Sequence, residues 1–182
     1  LRGDPDLVNE LVAAILDEHF PRSLHESILE AVGMPWVVSG TAATRDPDFR
    51  REVVRLYEHR CAMCGFDGRL GASDLALEAA HIMWHALGGP DQATNGVLLC
   101  SIHHQALDRG AMGISDDRSI LVSQELHGGS RVDEFMIGLA GLPLRAPADP
   151  KASPGLDFIA WHQREVFRGP ARPPGRTSEA TR

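Results

Sequence analysis

The sequence predicts an α+β fold: a ββα metal finger closed by a structural zinc knuckle, with helices on its N-terminal and C-terminal sides. Three observations lead there. Cys61-x2-Cys64 and Cys100-x2-His103 are two matched ligand pairs, and three thiolates with one imidazole close a tetrahedral zinc site that has no open position. Between the pairs, a short apolar run ends at His81, a loop containing Gly and Pro spans 88–96, and a second apolar run passes into a helix-forming stretch, giving the order strand, loop, strand, helix. On both sides of that unit apolar residues recur at helical spacing.

The elements follow in order. Residues 6–19 place Leu7, Leu11, Ala14 and Ile15 on one helical stripe, and Pro21 stops the helix. Ser23 and Glu26 stand at capping-box spacing; Leu24, Ile28, Leu29 and Val32 make the stripe of a second short helix, closed by Gly33 and Pro35. The small, weakly polar stretch 37–44 reads as a linker. Asp46 opens a third helix with Phe49, Val53, Leu56 and Tyr57 inward and Arg45, Arg50, Arg51 and Arg55 outward. That arginine run is either an ordinary solvated face or the chain's best phosphate-binding patch.

Residues 61–70 read as the knuckle, turning at Gly65, and residues 75–82 as a short strand carrying His81. The loop GGPDQATNG leads into VLLCSIHHQALDRG, a strand that becomes a helix with His103 and His104 on it. Beyond it the sequence predicts a hairpin over 119–126, a short helix from Val132, an extended Pro-rich strap over 141–155, a last helix over 158–167 and a disordered tail over 168–182. Trp84 and Trp161 read as packing aromatics rather than base-stacking platforms.

Composition sets the outer bounds. With 182 residues, a net charge of -7 and a pI near 5.7, the chain reads as one globular domain with appendages. It carries no apolar run of membrane-spanning length and no basic stretch followed by an apolar signal core, so no membrane partner and a cytoplasmic location are expected. All three cysteines lie in the two ligand pairs, which favours metal over disulfide.

The chemistry-bearing residues are set by spacing. His81 precedes Asn95 by fourteen residues, and Asn95 precedes His104 by nine, so all three ride on a segment whose ends the zinc ligands tie together. His103 and His104 are adjacent, and on a helix they point about 100 degrees apart, so one imidazole completes the zinc pair while the other is directed elsewhere. His81 at a strand end reads alone as either a core histidine or a functional one. Asn95 before Gly96 is a strong turn dipeptide. Asp108, one turn after His104, either orients that imidazole or lies on the helix surface beside Arg109.

The run 76–114, ALEAAHIMWHALGGPDQATNGVLLCSIHHQALDRGAMGI, resembles the HNH endonuclease superfamily, in the branch of McrA-like, modification-dependent (type IV) restriction endonucleases. Its flanks are most similar to the HNH domain of phosphorothioated-DNA-binding restriction endonucleases. The resemblance implies a ββα-metal (HNH) finger over 45–167, after an N-terminal helical segment and linker over 1–44. It implies that His81 is the general base, that Asn95 orients the loop behind it, and that His104 binds an exchangeable Mg²⁺, Mn²⁺ or Ni²⁺ and turns toward His81. Cys61, Cys64, Cys100 and His103 would hold the structural Zn²⁺. Where many HNH proteins carry an acidic or histidine ligand just before the base, this chain has Ala80, and Glu78, His85, water or phosphate oxygens would have to fill the shell.

The expected partner is DNA, and the acidic net charge argues for a small contact footprint or help from another domain. A modified-base or sulfur-reading domain is expected outside this chain, since no segment of it is long enough for one, and a homodimer is compatible with the sequence. Two other readings stay open at this point: a zinc-stabilised nucleic-acid-binding module without catalysis, and an RNA or toxin-type HNH nuclease.

Overall fold

In chain order the elements are helices α1 (Pro5–His19), α2 (Arg22–Ala31) and α3 (Pro47–Leu56), the small hairpin β1 (Arg69–Leu70) and β2 (Ser73–Asp74), the central hairpin β3 (Leu77–His81) and β4 (Gly96–Cys100), helix α4 (Ser101–Asp108), the hairpin β5 (Met112–Ile114) and β6 (Ile120–Val122), and helices α5 (Ser130–Phe135) and α6 (Leu156–Glu165). They come from a computed structural model that describes residues 5–34 and 47–174. No helix among the described residues is long and apolar enough to cross a membrane.

The strand, loop, strand, helix unit forms as its apolar runs require. β3 and β4 pair antiparallel from Leu77↔Cys100 to His81↔Gly96. Every residue of β4 is buried, so this strand is apolar throughout instead of alternating, the pattern of a strand covered on both faces. α3 lies against the hairpin through Phe49, Val53, Leu56 and Tyr57, all buried as predicted; fully burying side chains of this size contributes about 1.5–3 kcal/mol each. Gly96 makes that contact possible. It is extended rather than left-handed (φ -108°), and a Cβ there would sit 2.5 Å from Val53 Cγ2 and 3.0 Å from the Phe49 ring. The glycine of the Asn-Gly pair thus serves close approach and not a turn.

Several expectations need correction. α1 does not bury Leu7, Leu11 and Ile15, which are exposed; Ala13 and Leu16 are its buried residues, with Val12 packed beside Leu16 and Leu29. Residues 11–16 are apolar all round, so periodicity alone could not choose the buried face. α2 starts two residues earlier than the capping box predicts, with Pro21 at the cap. The hairpin predicted within 119–126 instead pairs Ile120–Val122 with Met112–Ile114. Residues 168–174, expected to be tail, are fixed along β6: Arg172 N–H donates to the Val122 carbonyl (2.7 Å), Gln124 N–H to the Pro170 carbonyl (3.0 Å), and Ser123 bridges Ala171. The linker 37–44, Arg45 and the stretch 175–182 lie outside the described residues.

The C-terminal half braces the α4 side. Trp161 of α6 meets Trp84 edge to face, ring centroids 5.8 Å apart, in line with the packing role predicted for both. His162 is buried; its Nε2–H donates to the Leu107 carbonyl (2.9 Å), and Nδ1 has no hydrogen-bond partner. Burial pushes the pKa of this ring down to about 4, against the pull of the Leu107 carbonyl. As pH falls through about 6.5 the unfolded chain's imidazole charges while the folded one stays neutral, and the loss of stability levels off below about 4. By pH 5 this one ring should cost about 2 kcal/mol relative to pH 7.5. Urea unfolding at the two pH values should therefore show a smaller acid loss for His162→Gln than for wild type; equal losses would overturn the assignment.

Candidate metal and nuclease site

The knuckle brings four donors together. The ligand atoms of Cys61, Cys64, Cys100 and His103 all lie within 4.8 Å of one another; Cys64 Sγ is 4.0 Å from Cys100 Sγ, and His103 Nδ1 is 3.1 Å from Cys100 Sγ and 3.6 Å from Cys61 Sγ. Metal–sulfur bonds of about 2.3 Å in a tetrahedron give sulfur–sulfur edges of about 3.8 Å, so the quartet has the dimensions of a single-ion site. Local chemistry explains how it forms. Gly65, left-handed at φ 75°, turns the chain after Cys64, Ala62 N–H donates to the Leu98 carbonyl (2.7 Å), and His103 Nε2–H donates to the Phe135 carbonyl (3.0 Å). That last bond leaves Nδ1 as the ligand nitrogen. The crowded sulfurs share protons unequally: hydrogen bonds with Cys100 and Cys64 hold the Cys61 thiol below the ordinary range, and those with Cys100 and Cys61 push Cys64 up. A cation among them would displace those protons.

His81 closes β3 on the α3 face. Its ring stacks on Phe49, centroids 4.2 Å apart and planes 13° from parallel. Nε2 lies 2.7 Å from Asp91 Oδ1, and the exposed His85 brings its Nε2 to 3.7 Å from Asp91 Oδ2.

Asn95 is buried and its amide is fully used: Oδ1 accepts from Met83 N–H (2.8 Å), while Nδ2–H donates to the carbonyls of Met83 (3.0 Å) and Pro90 (3.1 Å). One side chain thus clasps both limbs of the loop that joins β3 to β4. The clasp needs Gly89, where a Cβ would sit 2.0 Å from the Met83 carbonyl oxygen.

His104 is presented by α4. Alternation along β3 sends Glu78 and Ala80 to one face and Ala79 and His81 to the other. On the α4 face His104 Nδ1 lies 2.6 Å from Glu78 Oε2, whose other oxygen accepts from Ser101 Oγ (2.7 Å). His104 Nε2 lies 3.4 Å from Asp108 Oδ2. The His104 ring thus stands between Glu78 and Asp108. Asp108 is buried and not on the helix surface, because α4 packs that face inward. Of the residues weighed to fill the gap at Ala80, Glu78 shares its face and reaches His104, whereas His85 belongs with His81 and Asp91.

Imidazole Nε2 and carboxylate Oδ2 at 3.4 Å are too far for a strong hydrogen bond, yet close enough to share an ion with water completing its shell. Among the described residues, the quartet is the only group of three or more such donors compact enough for one ion. Of the outward arginines of α3, Arg50 donates to the Leu77 carbonyl (3.1 Å) and keeps its charge, while Arg51 pairs with Asp48, which offsets its charge. Asp91 escapes the sequence analysis altogether. Its only signal is that it is the one carboxylate in the loop 88–96.

Residues 61–115 match the family model for HNH endonucleases. Among solved structures, the chain is similar to one titled "Modification dependent TagI restriction endonuclease", at 26% identity and a TM-score of 0.53; the match covers 72% of this chain and 41% of that one. The chain thus spans well under half of that protein. No curated protein matches the chain significantly.

Proposed function

From the HNH endonuclease domain that residues 61–115 form, we propose that this chain hydrolyses DNA phosphodiester bonds with the help of a divalent ion, as the nuclease part of a modification-dependent restriction system acting on phosphorothioated or otherwise modified DNA. One observation carries the reading: a single hairpin-and-helix unit, tied at both ends by the Cys61, Cys64, Cys100 and His103 quartet, delivers His81, Asn95 and His104 within the matched segment. The modification-dependent part is supported by the likeness to the TagI enzyme.

In this reading zinc occupies the quartet and holds the unit together. Neutral His81 takes the proton of the attacking water, the general-base role that imidazole commonly fills. Asn95 keeps the loop behind His81 in register. His104 Nε2 and Asp108 Oδ2 would hold the exchangeable Mg²⁺, Mn²⁺ or Ni²⁺, which when bound neutralises charge on the phosphate and on the leaving oxygen. Glu78 accepts the Nδ1 proton of His104, so that Nε2 presents its lone pair to the ion. Ala80 offers only a methyl group, which leaves the other coordination positions to water and substrate oxygens and makes binding of the ion weak without DNA.

The test compares phosphorothioated, methylated and plain DNA, and RNA, over a range of Mn²⁺ and Mg²⁺. Cleavage should need added ion, and Asp108→Asn should raise the Mn²⁺ concentration for half-maximal rate by about 10–100-fold with zinc content unchanged. His104→Ala should fail at every concentration. Cleavage that survives chelation of the exchangeable ion, or a normal rate in His104→Ala, would sink the metal assignment. Cleavage of RNA alone would select a toxin-type nuclease. Tight DNA binding without cleavage would select a zinc-stabilised binding module, the reading that the Ala80 methyl favours.

A further inference from the structure

We propose that Asp91 is the positioning residue of the base: its carboxylate sets the ring orientation and tautomer of His81, and Asn95 keeps Asp91 in place through Pro90. The inference rests on the reading of His81 as base, but it is carried by a separate set of contacts. Two constraints fix an imidazole, the plane of the ring and its rotation within that plane. The Phe49 stack supplies the first. The second comes from Asp91 Oδ1, 2.7 Å from His81 Nε2, a distance at the strong end for a bond to a charged acceptor.

This contact differs from an ordinary surface ion pair, which contributes little. The His81 side chain is only 9% exposed and that of Asp91 27%, and the loop that presents the carboxylate has little freedom. Pro90, the preceding residue, has its carbonyl held by Asn95 Nδ2–H (3.1 Å) and by Gln92 N–H (2.9 Å). Gly89 N–H donates to the Trp84 carbonyl (3.0 Å). Asn95 also grips both backbone polar groups of Met83, two residues after His81. The asparagine therefore acts on both partners at once, holding the strand end that carries the imidazole and the loop that carries the carboxylate.

The chemical consequence is directional. A carboxylate can only accept, so a neutral His81 must place its proton on Nε2, which puts the lone pair on Nδ1. When Nδ1 takes the proton of water, the same carboxylate faces the imidazolium and stabilises it. No bond to Asp91 forms or breaks, and the proton stays on His81 until it passes to solvent.

The experiment combines nitrogen-15 spectra of histidine-labelled protein, recorded at a pH where the ring is neutral, with nicking of supercoiled plasmid DNA in Mn²⁺. The His81 signal is identified by its loss in His81→Gln. Wild type should show Nε2 protonated and Nδ1 bare. Asp91→Asn has the same size but an amide that can donate to the ring, so it should shift the proton toward Nδ1; it should lower kcat by about 10–100-fold, part of what a general base supplies, with KM within about twofold. Asp91→Glu should recover part of the loss. An unchanged tautomer, or a changed tautomer with kcat within about twofold of wild type, overturns the proposal. The spectra need no activity: if His81→Ala cleaved normally the base reading would fail, while the tautomer would still report whether Asp91 sets the ring. Asp91→Asn is chosen over Asp91→Ala because it keeps the loop's volume, and zinc content with melting temperature checks its fold.

Discussion

Cys64→Ser should release the zinc and unfold the nuclease domain. Binding free energy in a small structural zinc site is folding free energy, on the order of 10 kcal/mol or more, while a domain of this size has a net stability of about 5–15 kcal/mol. The loss is therefore comparable to everything that holds the fold. The quartet is where the knuckle, β4 and α4 meet, and the buried His103 is also tied to α5 through Phe135, so loss of the ion loosens all of these elements at once. Metal analysis should find about one tightly held zinc per wild-type chain and none in the variant, and the cooperative thermal transition should disappear. Prolonged chelation should reproduce the result in wild type. A Cys64→Ser protein that keeps a cooperative transition with no zinc bound would show that the quartet does not hold the fold.

His81→Ala should lose about 10²–10⁴-fold in cleavage rate, the usual contribution of a general base, and should keep its fold and zinc. The contrast with Cys64→Ser is the point of the pair. His81 ends β3, stacked on the Phe49 ring and bonded to Asp91; losing an aromatic stack costs about 0.5–1.5 kcal/mol and losing a hydrogen bond to a charged group about 1.5–3 kcal/mol, together less than the loss of the zinc. Melting temperature should fall slightly, zinc content should hold, and DNA binding should be nearly unchanged. A folded His81→Ala protein that nicks plasmid at near wild-type rate would remove His81 from the mechanism. Asn95→Ala should behave between the two, because it strips three buried hydrogen bonds from the loop and so disturbs stability and rate together.

The quartet and the strand, loop, strand, helix order were legible in the sequence because both are local. Two ligands three residues apart are close in any compact turn, and a run such as VLLC followed by SIHHQALD reads as strand and then helix from composition alone. The inner face of α3 was legible for the same reason, since Phe49, Val53, Leu56 and Tyr57 share one stripe of a helix whose other positions are mostly charged. α1 was not: residues 11–16 are apolar all round, and only tertiary packing, with Leu16 against Leu29 of α2, decided that Ala13 and Leu16 turn inward while Leu11 and Ile15 stay out.

Most of the pairing of carboxylates with imidazoles also lay beyond the sequence. Spacing placed His81, Asn95 and His104 on one segment and offered Asp108 to His104 one helical turn away, but it could not assign Asp91 to His81 or decide that Glu78 reaches His104. Those pairings follow from which face of β3 each side chain leaves by, from α3 and α4 covering opposite faces, and from a loop folded back by Asn95 across twelve residues. By itself the sequence determined the ligand types, their spacing and the order of elements, because these are properties of neighbours along the chain. The tertiary structure alone decided which charge meets which ring, because a hydrogen bond depends on distance in space and direction, and residues far apart in sequence acquire both only when the chain has packed.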